Sequence, residues 1–382
     1  MENKTQQRHY FDWAASAIPD YSLYNDSFPF GNPSSAHKEG QEAAQALEGA
    51  RARCALALGV PSSAIYFTSG GTESNCISLY SLIARKSSAS LIASASEHPS
   101  ITENLKKLQF LGKESSLIPV DSSGRVTCEN LKSTIEKQNN ARFVAIMSVN
   151  NETGTLNDIK SLQSVLKKNG APVHFHCDIV QSIGKIPVNL TEWEVDSASL
   201  SAHKIGGPRG IGILYLKKPL EVLYSGGGQE KNIRPGTENT AGALILASCL
   251  EKYLHEDNFK KETAKAGERW AFLLKELSKI QRCRFIPYGR QIDDPGFSPF
   301  ILQAAFRDIP GEVMVRALDE LGFAVSTGSA CSSSSPERRV LAAMGIDESL
   351  RLEGIRISQG WTTTEEEIGL LIEAIKEVLK FL

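Results

Sequence analysis

The sequence predicts an α/β protein, with a large domain built on a mostly parallel mixed sheet flanked by helices and a smaller α+β domain beside it. Three observations carry that expectation. Short apolar runs alternate with helical patterns along the chain, as successive βα units require. The run Phe143-Val144-Ala145-Ile146-Met147-Ser148-Val149 reads as one continuous apolar strand, the pattern of a strand buried on both faces. Polar residues recur where such runs stop, and packing alone does not explain the repetition. At 382 residues the chain exceeds one ordinary core. Residues 13–260 are expected to form the large domain, and residues 1–12 and 261–382 the small one.

Taken in order, residues 10–15 make a short opening segment, and Gly31-Asn32-Pro33-Ser34-Ser35 is a turn. Residues 36–58 carry an Ala-, Glu- and Gln-rich helical pattern that Gly59 closes. Ala64-Ile65-Tyr66-Phe67 reads as a strand that runs into Thr68-Ser69-Gly70-Gly71-Thr72-Glu73-Ser74 and a helix through Ala84. There, backbone N–H groups and the positive end of the helix dipole would face an anion. No Gly-Lys-Ser/Thr ends the turn, so it does not fit a P-loop. One phosphate held by Gly71, Thr72 and neighbouring amides fits better; a plain capped helix is the alternative.

Leu91-Ile92-Ala93-Ser94 reads as the next strand, and Pro99 opens a helix, which leaves His98 at the strand tip as a cap or a catalyst. Residues 101–140 read as a helix, a strand near 116–120 and a second helix. The apolar run at 143–149 stops at Asn150-Asn151-Glu152-Thr153-Gly154, at the edge where open α/β sheets bind ligands. After a helix at 159–168, a strand over 172–178 ends on Asp178, with Gln181 three residues on. His174 and His176 share a face of that strand, but no acidic or cysteine ligand accompanies them at metal spacing, so no metal site is expected. Residues 226–239 form a long, Gly-rich, charged loop, a poor passive connection. Residues 241–277 look like one linker helix. The small domain then alternates strands at 283–286 and 300–305 with helices at 311–321 and 365–382.

Composition narrows the functional classes. A net charge of -2 makes no electrostatic case for nucleic acid or an anionic membrane. No apolar run reaches the roughly 20 residues of a membrane span. The first eight residues are polar, without a signal-like apolar core, so the cytoplasm is the expected compartment. Seven cysteines without a Cys-x-x-Cys argue against a disulfide framework or a structural zinc. Six of them sit in apolar or helical surroundings and read as core residues; Cys331 lies instead in the small-residue stretch Ser326-Thr327-Gly328-Ser329-Ala330-Cys331-Ser332-Ser333-Ser334-Ser335-Pro336.

The strongest chemical signal is Ser199-Leu200-Ser201-Ala202-His203-Lys204-Ile205-Gly206-Gly207-Pro208-Arg209-Gly210, a lysine beside a histidine on a glycine-rich turn between two strands. Such a lysine suits a Schiff base to pyridoxal phosphate (PLP). That cofactor also needs a carboxylate at its ring nitrogen, a phosphate cradle and a group on its ring face. Asp178, Gly71 with Thr72, and His98 could supply them.

At this point the chain resembles the cysteine desulfurases of the NifS/IscS type, within the class V aminotransferases. The matching stretches are Gly31-Asn32-Pro33-Ser34-Ser35-Ala36-His37, Phe67-Thr68-Ser69-Gly70-Gly71-Thr72-Glu73-Ser74-Asn75, Ser96-Glu97-His98 and Val149-Asn150-Asn151-Glu152-Thr153-Gly154. Residues 178–181, 201–212 and 234–239 and Ser329-Ala330-Cys331 continue the match in family order. The resemblance implies the PLP-dependent transferase fold of type I and a desulfurase acting on L-cysteine. By that likeness Lys204 carries PLP, Asp178 pairs with the ring nitrogen, and His98 stacks on the ring and assists proton transfer. Gln181 and Asn151 bind the ring oxygen and substrate region; Gly71, Thr72, Ser201 and His203 hold the phosphate. Thr237 reaches the phosphate of a neighbouring subunit, which implies a homodimer, and Arg356 clamps the substrate carboxylate. Cys331 takes the sulfur as a persulfide and passes it to an acceptor protein, such as an iron–sulfur scaffold.

Some positions depart from that pattern. Ala202 stands where glycine is usual, Ile179 where a small residue is common, and Gly206 where a bulkier one is found. The segment after Cys331 is about one residue short, and the chain stops at Leu382 without the extension many relatives use to dock a scaffold. Three other readings use the same residues. They are a selenocysteine lyase, an aminotransferase or kynureninase-like enzyme that would not need Cys331, and a degenerate sulfur-trafficking partner.

Overall fold

The computed structural model describes residues 7–24, 27–84, 89–138, 140–170, 172–328 and 338–382. Its centre is a seven-stranded sheet in the spatial order Ile65–Thr68, Gly212–Leu216, Ser197–Ser201, His174–Asp178, Ala141–Ala145, Ser90–Ser94, Ser115–Ile118. Only Gly212–Leu216 runs antiparallel to its neighbours. The parallel strands therefore share one carboxyl edge, onto which the segments carrying Gly71, His98, Asn151, Asp178 and Lys204 all emerge. Helices cover both faces, and the residues between are buried, as a doubly covered sheet demands.

The expected apolar strand at 143–149 is shorter, Ala141–Ala145, although its pairing continues irregularly as Ile146 N donates to His176 O (3.1 Å) and Ser148 N to Asp178 O (3.0 Å). The helix expected at 36–58 starts at Lys38, because His37 caps it through Nδ1 to the amide of Gly40. The single linker helix is two, Thr240–Leu254 and Glu256–Ser278, broken where His255 turns to an extended conformation. Acidic Glu256 and Asp257 suit the dipole of the new helix start. Of the six cysteines expected in the core, Cys54, Cys177 and Cys249 are buried, while Cys76, Cys128 and Cys283 are half-exposed near helix starts or a strand edge.

A second sheet, Gly354–Ser358, Ile301–Phe306 and Cys283–Ile286, is antiparallel throughout. Its Leu302, Ala304, Phe306, Ile355 and Ile357 pack beneath Glu256–Ser278, Gly311–Glu320 and Glu365–Phe381. Period two then sends Gln303 and Arg356 to the other side. Glu365–Phe381 opens on a capping box in which Thr364 and Glu367 satisfy each other's backbone donors. The opening segment ties the parts together: His9–Tyr10 pairs with Phe323–Ala324, Phe11 O accepts from Ser358 N, and Asp12 bridges to Ser358. Among the described residues no helix is long and apolar enough to cross a membrane.

Candidate active site

A cavity of about 270 Å³ lies at the carboxyl edge of the large sheet, where it meets the Arg356 face of the small one. Gly71, Thr72, His98, Asn151, Asp178, Gln181, Ser201, His203, Lys204 and Arg356 all line it. Thr237 does not; it is exposed on the surface of this protomer. Cys331 lies outside the described residues.

One end of the cavity is built for an anion. Gly71–Ala84 starts there, so first-turn amides without intrahelical acceptors face inward. A Cβ on Gly71 would stand 2.7 Å from Val180 Cγ2 and fill the approach. Ser201 Oγ and His203 Nδ1 pair at 2.7 Å on the adjoining wall. Burial, with Lys204 and Arg209 adding, pushes His203 down to about 4, so it is neutral at physiological pH. At Gly206 the backbone is left-handed (φ 80°) and its carbonyl takes the amide of Asp20 at 2.8 Å, which accounts for glycine at that departure from the family pattern.

Across the cavity Asp178, 6% exposed at its strand end, accepts from Val180 N at 3.0 Å and from Asn75 Nδ2 at 2.9 Å. His98 is both cap and cavity wall: Ser100 N donates to its Nδ1 at 3.1 Å, and burial holds its pKa below the usual value, with Asp178 opposing. Lys204 Nζ donates to the carbonyls of Ala14 (2.6 Å) and Ala15 (2.8 Å). Gln181 Nε2 shares the Ala14 carbonyl at 2.8 Å, and Lys185 Nζ donates to Gln181 Oε1 at 3.0 Å. Arg356, almost wholly buried, gives Nη1 to Asn151 O (2.8 Å) and Nη2 to Asp12 (2.7 Å).

The donor set fits PLP: an amine, a carboxylate and an amide-lined helix start converge on one cavity, with an imidazole on its wall. Sequence reasoning missed Asp12, Ala14, Ala15, Asn75, Ser100 and Lys185. The first three lie in the opening segment, where two of the contributions are backbone carbonyls. Asn75 had a signal, since it stands within a matched motif, but no role followed from it.

Residues 9–371 match the Aminotransferase class-V family. The chain is 36% identical over 381 residues to a cysteine desulfurase IscS of Dictyoglomus turgidum, covering 97% of this chain and 94% of that one. The chain belongs to the NifS/IscS-type cysteine desulfurases of the class V aminotransferases. Among solved structures, a NifS-like protein superposes with a TM-score of 0.89 at 34% identity, covering 98% of this chain and 100% of that one. SspA in complex with cysteine superposes with a TM-score of 0.77 at 29% identity, covering 91% of this chain and 98% of that one. Desulfurase family membership thus extends over both sheets and the cavity between them. Among the described residues no group of three or more His, Cys, Asp or Glu side chains could hold a metal ion.

Proposed function

We infer that the protein is a PLP-dependent cysteine desulfurase that converts L-cysteine to L-alanine and leaves the sulfur as a persulfide on Cys331. The observation that carries the reading is the convergence of Lys204, Asp178 and the Gly71 helix start on a single cavity. PLP, when bound, supplies an electron sink for charge developing on the substrate carbon. Lys204 would hold it covalently, Asp178 would face its ring nitrogen, and Gly71, Thr72, Ser201 and His203 would take its phosphate. A neutral His203 offers that phosphate a hydrogen bond rather than a charge. His98 would stack on the ring and carry a proton, while Gln181 and Asn151 would bind the ring oxygen and substrate. Arg356 would clamp the substrate carboxylate with its planar fork.

Cys331, in the small domain of residues 1–12 and 261–382, would attack as the thiolate. Its sulfur bonds to the substrate sulfur as the carbon–sulfur bond breaks; the bond pair stays on carbon, which takes up a proton and departs as alanine. A homodimer completes the site, with Thr237 of one copy serving the phosphate of the other. Delivery to an acceptor protein in the cytoplasm, an iron–sulfur scaffold or another thiol carrier, ends the cycle. The test is a visible absorption scan with sulfide release on adding cysteine and a reductant. Cys331→Ala should keep the cofactor band and lose sulfide release; unchanged turnover removes Cys331 from the mechanism. A colourless, inert protein would refute the desulfurase reading itself.

A further inference from the structure

His174 and His176 have no part in the site described so far. They share one side of the strand His174–Asp178 with Asp178, and His176 is fully buried. Burial, with His174 adding to it, pushes His176 down to about 3, so its ring is neutral and carries one proton. Its Nε2 lies 2.8 Å from Asn75 Oδ1, and its Nδ1 2.7 Å from Ser197 Oγ.

Counting donors and acceptors gives this network one direction. Asn75 Nδ2 donates to Asp178 Oδ2 at 2.9 Å and to Ser100 Oγ at 2.8 Å. Asp178 also accepts from Val180 N, so the carboxylate takes donors on both oxygens and the amide must turn its NH₂ that way. The amide oxygen then faces His176 and can only accept, which puts the His176 proton on Nε2 and leaves Nδ1 to accept from Ser197. Ser199 Oγ donates to the same Asn75 oxygen at 2.5 Å. Both protons and both lone pairs of the carboxamide are now used. Ser100 Oγ, having accepted from Asn75, turns its own proton to His98 Nδ1 at 2.8 Å, beside the donation from Ser100 N. The remaining proton of a neutral His98 is therefore on Nε2.

We propose that His176 is a positioning residue that holds the Asn75 carboxamide by its oxygen, and through it keeps a donor aimed at Asp178. The direction of the network follows from geometry alone; its use in catalysis rests on the desulfurase reading above. Without His176 the Asn75 oxygen keeps only Ser199 as a donor, and the amide that supports Asp178 and Ser100 is held less firmly.

His176→Phe removes the donor while keeping a ring against Phe143, whose centroid lies 6.0 Å away. Two readouts test it: hydrogen exchange of the Asn75 side-chain amide protons in cofactor-free protein, and the affinity of that protein for added PLP. The expected result is Asn75 amide protons that exchange about tenfold faster and PLP binding weakened about tenfold, the scale of one buried hydrogen bond left unmade. His176→Gln, whose Nε2 can still donate to Asn75, should restore both. Unchanged exchange and affinity in His176→Phe, or a Gln variant as impaired as Phe, overturn the proposal. Should the Phe variant not fold, His176→Leu, which also lacks the donor, must move the same two readouts, and wild-type values there overturn it equally. Failure of the desulfurase reading shows separately, as wild-type protein that binds no PLP and releases no sulfide while its Asn75 amide exchange is still measurable.

Discussion

Arg51 and Arg356 are both buried guanidiniums, 3% and 1% exposed, yet they sit in opposite kinds of surroundings. Arg51 finds protein acceptors on all sides: Glu230 takes both Nη atoms at 2.7 Å, Ile65 O takes Nη1 at 2.9 Å, and Glu48 takes Nε at 3.0 Å. Glu230 accepts Phe67 N as well, at 2.8 Å, which pins the loop after Gly228 to the edge strand Ile65–Thr68. Arg356 is held at two corners, and its Nε has no partner among the described residues. The titrating groups repeat the contrast. Burial works against the charge on Arg51, but the Glu230 carboxylate outweighs it and raises the pKa. Around the cavity burial wins instead, lowering His98 and His203, bringing Lys185 to about 7 and lifting Glu97 to about 8. A fully matched charge is a structural rivet. An incompletely matched one beside a cavity, among groups held neutral, is left to answer a ligand.

The contrast breaks if the two arginines respond alike. Arg51→Ala should have the largest effect on folding, about 3–5 kcal/mol in denaturant unfolding, because it strands a buried carboxylate. A loss below about 1 kcal/mol would mean that the pair is not a rivet. Arg356→Lys should act on the substrate instead. It gives up the bidentate fork, so KM for L-cysteine should rise about tenfold or more while the unfolding midpoint moves little. A KM unchanged beside a large stability loss would place Arg356 with Arg51.

A third variant sharpens the comparison through pH. Glu97 is fully buried, accepts Met147 N at 2.7 Å on one oxygen, and has no partner on the other among the described residues. Folded, it keeps its proton up to about 8; its ordinary value is 4.5. Its contribution is therefore complete below that ordinary value and is lost as pH rises toward the folded one, since the unfolded chain releases the proton first. Glu97→Gln removes this term, so the variant should gain on wild type as pH rises, by at most about 1.4 kcal/mol per unit. Unfolding curves across about pH 5 to 8 check it; a constant difference would mean that Glu97 ionises normally in the fold.

His98, Asn151, Asp178 and Lys204 could be picked out before any coordinates because each closes or follows an apolar run. Parallel strands collect such residues at a single edge. The helix Ile159–Lys168 and the strand Cys283–Ile286 were legible for the same kind of reason, clear periodicity between clear breaks. The helices Arg339–Ala343 and Glu348–Glu353 were not read; at one or two turns they depend on packing rather than on propensity. The strand Gly354–Ser358 was missed as well, and it is what turns Arg356 away from the small-domain core.

Alternation along a strand and the order of strand, turn and helix are written in neighbouring residues, so the α/β architecture and most of the cavity wall follow from the chain alone. Which amine meets which carbonyl is not written there. Lys204 reaches Ala14 across 190 positions, and Asn75 reaches Asp178 across 103. Such contacts exist only once the sheets, the opening segment and the helix Gly71–Ala84 have packed together. The direction of the hydrogen-bond network around His176 belongs to that second kind, because it depends on which donors and acceptors the packed core brings together.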